Sequence, residues 1–188
     1  ADVLEVADQI PQLLGCRIHG RGFALHLGNG GGGLIDAGDE PGARSVVHPY
    51  LRTRGVNRLE DLWLSHGDIR HVGGTFELLR RYPIERIDIG PLRFRSSAYR
   101  ALVASLQTNA IQHLQSVRDG ESFGAWQILH PATSDAFSLA DDGSLVLAMG
   151  ESPNRVLVLG DLGRAGQEAL MRRHPDLRAE IVIKIGRA

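Results

Sequence analysis

The run LWLSHGDIRHVGG, from Leu62 to Gly74, decides how this chain is read. It opens on Leu62, Trp63 and Leu64, three large apolar residues of the kind a buried strand carries, and turns polar at Ser65 and His66. His66, Asp68 and His71 then fall within six residues, and Gly73-Gly74 lead into TFELLRRY, whose spacing is that of an amphipathic helix. Strand, polar loop and helix in succession put loop side chains at the carboxyl end of a buried strand, the usual place for chemistry in α/β proteins. Two imidazoles and a carboxylate so close together suit a divalent metal, since all can bring neutral N or anionic O donors to one point. A lone strand-end histidine would read as a hydrogen-bonded residue and nothing more; the pair with Asp68 keeps both readings open.

Upstream, Leu34-Ile35-Asp36-Ala37-Gly38 reads as an apolar strand ending in a carboxylate at a sharp turn. Before it, Val3–Val6, Gln12–His19 and Phe23–Leu27 are expected strands, with His26 on the face opposite Phe23, Leu25 and Leu27. Gly28–Gly33 lacks the Lys and Ser/Thr of a phosphate loop and is followed by a strand, so it reads as a hairpin turn. ARSVVHPYLRTR, Ala43 to Arg54, has helical spacing with a kink or delay expected at Pro49. Downstream, the pattern predicts a helix over Thr75–Tyr82, a strand over Ile84–Ile89 and a helix over Ser96–Leu106 capped by Ser96. Strands follow over Ile111–Val117, Phe123–Leu129 and Gly143–Met149. Arg155–Leu159 is a hairpin partner of the last, ending in Gly160-Asp161; then come a helix over Gly163–Arg173 and a final strand over Ile181–Ile185. Hairpins at both ends with strand–helix units between point to two mixed sheets with helices rather than a singly wound sheet.

Composition bounds the rest. A chain of 188 residues with 43% hydrophobic and 23% charged residues is ordinary for one globular domain, residues 1–188. The net charge of −1 supplies no global field for nucleic acid, so any such binding needs a local patch. Lys184 is the only lysine, a bias that a GC-rich genome explains as easily as phosphate recognition does, and the genome is the favoured reading. Cys16 is the only cysteine, which excludes an internal disulfide and a thiolate zinc site. No apolar run approaches the roughly 20 residues that cross a bilayer. A start at Ala1 is expected of a processed chain or a piece of a larger protein, one that could stop short at its C-terminus.

SHGDIRHVGG resembles the SHxDxDHxGG signature of the metallo-β-lactamase superfamily, in the form carried by the soluble domain of ComEC-type competence proteins. The likeness holds at Ser65, His66, Asp68, His71, Gly73 and Gly74. It departs at Arg70, where the family has an aspartate for a second metal. LIDAG resembles the family strand whose aspartate, here Asp36, lies beneath the metal loop. WQILHP, GSLVL from Gly143 to Leu147, and LGD from Leu159 to Asp161 resemble further stretches in the family's order, so the similarity runs with gaps from Leu34 to Arg173.

The resemblance implies an α/β (α+β) fold, a four-layer αββα sandwich of two mixed sheets. It implies metal ligands at His66, Asp68, His71 and Asp161, with Asp36, Ser65 and Ser144 in support and Asp68 and Arg70 at the catalytic positions; His66, Asp68, His71, Asp36 and Asp161 are expected to converge on one edge. The family's chemistry uses two metal ions to make a hydroxide near neutral pH and to hold a nucleic-acid phosphate. A guanidinium is never a ligand, and the HHGS segment of such domains has no counterpart after His174, so partial or no occupancy by Zn or Mn is expected. Arg70 then has two readings: it fixes an anionic oxygen, or it pairs with Asp68 or Asp161 and closes the site. Two functions remain, a metal-dependent DNA phosphodiesterase of natural competence with a degenerate site, or a non-catalytic DNA-binding or structural domain. Hydrolysis of β-lactams is disfavoured, because nothing resembles that ligand set beyond the fold. DNA and a membrane-embedded remainder of the same protein are the partners implied, with the domain on the outward, periplasmic or extracellular face.

Overall fold

The structure, a computed structural model, describes residues 13–18, 22–27, 32–108, 114–151 and 155–184. They divide into two compact units, Ala1–Asp88 with Phe94–Gln115, and Ile89–Arg93 with Ser116–Ala188. The strand expected at Val3–Val6 and the turn at 28–31 lie outside the described residues.

The first unit is built on a sheet whose strands lie in chain order: β1 (Leu13–Ile18), β2 (Gly22–Leu27), β3 (Gly33–Ile35), β4 (Leu59–Leu64), β5 (Ile84–Ile89) and β6 (Leu114–Ser116). β1, β2 and β3 run antiparallel, as the hairpin reading of the glycine run requires. β3 and β4 are parallel, with Leu34 opposite Leu62 and Ile35 opposite Trp63. A Cβ on Gly33 would come within 2.1 Å of the Trp63 ring, so that position is glycine because the indole lies against its backbone.

A parallel pair needs a crossover, and the chain supplies one in three pieces. α1 (Glu40–Gly42) starts at Asp39, whose Oδ1 accepts from the Gly42 N–H at 2.7 Å. A π-turn over Ala43–Val47 passes into α2 (His48–Thr53), with Pro49 in its first turn. The backbone stays right-handed helical through Val47 and His48, and the His48 N–H bonds Ala43 O, so a turn widened by one residue leads into Pro49, which has no N–H to place. The metal-loop segment adds a helix absent from the sequence reading, α3 (Ile69–Val72), and α4 (Thr75–Leu79) ends sooner than the expected Tyr82. α5 (Ser97–Thr108) begins at Ser96, whose Oγ accepts from the Tyr99 N–H at 3.3 Å. Leu34, Leu51, Leu59, Leu62, Leu64, Leu78, Ile87 and Leu106 are all but fully buried. Each contributes roughly 1.5–3 kcal/mol by leaving water.

The second unit holds β7 (Ser122–Phe123), β8 (Trp126–His130), β9 (Val146–Met149), β10 (Val156–Gly160) and β11 (Ile181–Lys184), in the order β11-β10-β9-β8-β7. β7 to β10 form antiparallel neighbours, and β11 returns parallel to β10 after α6 (Arg164–Arg173). The single strand expected over Phe123–Leu129 is instead a tight hairpin, because Gly124 takes a φ of +57° and reverses the chain. Leu129, Val146, Ala148, Leu157, Leu162 and Leu170 form this unit's core. Each unit is thus a mixed sheet with helices, as the hairpin and strand–helix pattern predicted.

Candidate metal centre

Asp36 organises the site. It follows β3 with a φ of +62°, a left-handed conformation that costs most residues about 1 kcal/mol and that Asp tolerates better than most. Three backbone bonds pin it there: Asp36 N–H to Trp63 O at 2.8 Å, Ala37 N–H to His71 O at 2.7 Å, and Gly74 N–H to Gly38 O at 2.8 Å. A Cβ on Gly74 would sit 2.5 Å from both Ala37 O and Ala43 Cβ, so the glycine after the histidines lets the two turns meet. Gly67 serves likewise, since a Cβ there would lie 2.5 Å from Cβ of Phe94. The motif's glycines are close-packing residues.

The Asp36 carboxylate is fully buried and collects three donors. Oδ1 accepts from the Ser65 N–H at 2.8 Å, and Oδ2 accepts from the Ser65 hydroxyl at 2.8 Å and from Nδ1 of His71 at 2.7 Å. Ser65 has one hydroxyl proton and gives it to Asp36, so its 2.9 Å contact with Nδ1 of His66 has the imidazole as donor. Both histidines therefore carry their proton on Nδ1, and Nε2 of each ring bears the lone pair. The rings lie beside one another, centroids 4.3 Å apart, and the two residues' ligand nitrogens are within 4.8 Å. Metal-binding histidines are oriented in this way, each holding its second N–H on a carboxylate or hydroxyl. The donor set fits a divalent ion.

Asp68 is arranged differently. It caps α3, its Oδ1 accepting from the Arg70 N–H at 2.8 Å, and the Arg70 guanidinium folds back onto it with Nε 3.2 Å from Oδ1 and Nη2 2.8 Å from Oδ2. Both carboxylate oxygens are engaged by one fork. The hydrogen bonds from Arg70 hold the Asp68 carboxyl down at about 2. Of the two readings of Arg70, the structure displays the pairing with Asp68.

Asp161 and Ser144 belong to the second unit. Asp161 is the half-buried residue at the tip of β10, where Leu162 N–H bonds Leu159 O at 3.1 Å to close the turn. Ser144 is fully buried between a 3-10 turn (Asp141–Gly143) and β9, its N–H on Asp141 O at 3.1 Å. Thus Asp36, Ser65, His66 and His71 are brought together, and Asp68 is given to Arg70.

The sequence reading passed over a second polar network, inside the second unit. Arg173 donates from Nη1 to Asp135 at 2.8 Å and from Nη2 to Nδ1 of His130 at 2.6 Å, and its Nε lies 3.3 Å from Asp119. His130 is fully buried, and its Nε2–H donates to Asp142 O at 2.8 Å; burial, and after it the Arg173 charge, lower its pKa. Nothing local in LHP announces this, because its partners lie up to 43 residues away.

No protein-family profile matches the sequence. Over 145 residues, 75% of the chain, it is 28% identical to ComE operon protein 3 of Bacillus subtilis (strain 168). Over 142 residues, again 75%, it is 31% identical to competence protein ComA of Neisseria gonorrhoeae. The chain spans 18% of the length of each of these curated relatives. Among solved structures, it superimposes on the MIM-2 metallo-β-lactamase with a TM-score of 0.56 at 16% identity, over 87% of this chain and 69% of that one.

Proposed function

Starting from a chain with the metallo-β-lactamase fold and the sequence of a ComEC-like competence domain, we propose a DNA-handling domain with one divalent-metal position in place of two. His66 and His71 would hold the ion through Nε2, and the sequence resemblance, not a contact, names Asp161 as a further carboxylate donor. When bound, such an ion lowers the pKa of a coordinated water and draws charge from a phosphate oxygen. The chain's own residues set the conditions. Asp36 and Ser65 fix both imidazole tautomers, and Arg70 occupies the Asp68 carboxylate that would otherwise serve metal. A phosphate arriving at the loop would compete with Asp68 for the Arg70 fork, which matches two oxygens at once.

The fork between Arg70 and Asp68 is the observation that carries this reading, because it replaces a ligand by an internal ion pair. The chain would then bind phosphodiester more readily than it cleaves it, with the membrane-embedded remainder of a competence protein, on the outward side, as its setting. No helix among the described residues is long and apolar enough to cross a membrane itself. Manganese titration by calorimetry tests the stoichiometry: one site or fewer is expected, and His66→Ala should abolish it. Arg70→Asp should add a second ion and Mn-dependent cleavage of DNA. Two tightly held ions in the unaltered chain, with brisk cleavage, would instead establish the full two-metal phosphodiesterase.

A further inference from the structure

The first unit carries a face that the histidine site does not use. Glu77, on α4, has a side chain only 2% exposed, yet three guanidiniums converge on it. Arg81 reaches Oε1 with Nη2 at 2.6 Å and Nε at 2.8 Å, Arg44 reaches Oε1 with Nε at 3.4 Å, and Arg80 bonds Oε2. Arg44 also holds Glu40 at 2.7 Å. Arg52, exposed on α2, stands one helical turn after His48, whose Nδ1 lies 2.8 Å from the hydroxyl of Tyr82, the residue that follows Arg81.

The arrangement is directional. The negative charge of Glu77 lies inward, while Arg44 and Arg80 are 58% and 59% exposed. One edge of each guanidinium is held by a buried anchor, so less rotamer freedom is lost when the remaining N–H groups meet an anion. Four arginines against Glu40 and a covered Glu77 make a cationic face on a chain of net charge −1. Phe76 is 38% exposed and lies one helical turn before Arg80, whose N–H bonds Phe76 O at 3.1 Å. An exposed aromatic ring beside ordered arginines is what a single strand requires: phosphates for the cations and an unpaired base for the ring. A duplex hides its bases, and an anionic lipid surface offers the ring no stacking partner.

We propose that this arginine face, with Phe76 at its edge, docks single-stranded DNA, its guanidiniums on successive phosphates and Phe76 against a base. The inference rests on the reading of the chain as a DNA-handling domain. It needs no metal, and its test is therefore run in EDTA. Fluorescence anisotropy with a labelled oligo(dT) of twenty nucleotides, and with the matching duplex, is measured from 50 to 300 mM salt. Three or four phosphate contacts give a slope of log K against log salt of about −2 to −3 for the single strand. Arg44→Gln, which leaves Glu77 its two nearest arginines, should make the slope shallower by about 0.7, and Arg44→Gln/Arg80→Gln by about 1.4. Phe76→Ala should weaken oligo(dT) binding roughly fivefold and leave the duplex unchanged.

Unchanged slopes in both arginine variants, with circular dichroism and melting as in the parent, would overturn the proposal. Binding to phosphatidylglycerol vesicles without binding to oligo(dT) would overturn it in favour of a lipid surface. If the parent binds no DNA in EDTA and none with manganese added, the DNA-handling reading falls too, whereas binding with manganese alone overturns this face and leaves that reading standing. If the parent binds and only the arginine variants are silent, this face alone is excluded.

Discussion

Asp36 shows how much one side chain carries, and the substitution Asp36→Asn isolates it. Asparagine accepts a left-handed φ as readily as aspartate, so the backbone should keep its turn. The amide, however, has one acceptor where the carboxylate has two. Whichever way it points, its NH2 faces a donor, either the Ser65 N–H or the pair formed by the Ser65 hydroxyl and His71 Nδ1–H. A buried donor left without an acceptor costs about 1–3 kcal/mol, so the melting temperature should fall by roughly 2–12 °C at this chain length. Zinc or manganese affinity should fall 10- to 100-fold, as it does when an outer carboxylate is lost. An unchanged metal affinity would show that the imidazoles need no orienting carboxylate. His66 and His71 were legible in the sequence because they stand close together in one loop. The bonds of Asp36 were not, since Ser65 and His71 lie 29 and 35 residues away. The pairing of Arg70 with Asp68 was one of two open readings, because spacing alone cannot say whether a guanidinium turns back or outward.

Among the elements, α6 carries a sign that propensity would get wrong. Its first turn has no cap from its own sequence: the N-cap residue is Gly163. The cap comes from Asp142 on the 3-10 turn, whose Oδ1 accepts from the Gly166 N–H at 3.1 Å. The approach is close enough that a Cβ on Gly166 would lie 2.4 Å from the Asp142 backbone oxygen. Glycine to alanine inside a helix ordinarily stabilises by about 1 kcal/mol. Here Gly166→Ala should destabilise, because the clashing atom is backbone and cannot swing aside, whereas Asp142→Ala should cost about 1 kcal/mol through the lost cap. Urea unfolding of both variants checks the pair, and a stabilised Gly166→Ala would refute the packing argument. Element types were largely legible from periodicity, as in β5, where Ile84–Ile89 was placed at its observed ends. What periodicity missed were interruptions set by single residues: Gly124 turning one expected strand into a hairpin, and the π-turn that lets Pro49 begin α2.

For the molecule as a whole, the fold was legible because several motifs kept their order along the chain, and 16% identity still leaves 87% of it superimposable on a metallo-β-lactamase. Its response to pH was not legible, because that depends on burial. Asp88 on β5 is fully buried and 3.0 Å from Arg86, a guanidinium it shares with Asp61 at 2.6 Å; burial first, and Asp61 after it, raise its carboxyl to about 6. In the unfolded chain it would titrate near 3.8. Between these values the folded protein keeps a proton that the unfolded chain has lost, so this group's contribution falls as pH rises from about 4 to about 6 and stays lowered above. Glu77, held near 2 by Arg80 and Arg81, acts oppositely: its contribution is complete above the ordinary glutamate range and is lost as pH falls toward 2. Asp88→Asn separates the first effect from everything else. Asparagine does not titrate, so the stability difference between variant and parent changes with pH through Asp88 and, by way of the Arg86 they share, through Asp61, whose charge acts in the same direction on it. Whatever the amide gains or loses against Arg86 is a constant offset. The difference should therefore move in the variant's favour by about 2.5 kcal/mol between pH 4 and pH 7.5, the full effect of two pKa units at 1.36 kcal/mol each less the part already lost by pH 4. In melting temperature that is roughly 5–10 °C for a chain of this length. Paired melts at half-unit pH steps give the curve, and its midpoint should fall between 4 and 6. A difference flat with pH would mean that Asp88 is already ionised in the folded protein at pH 4, which its burial argues against.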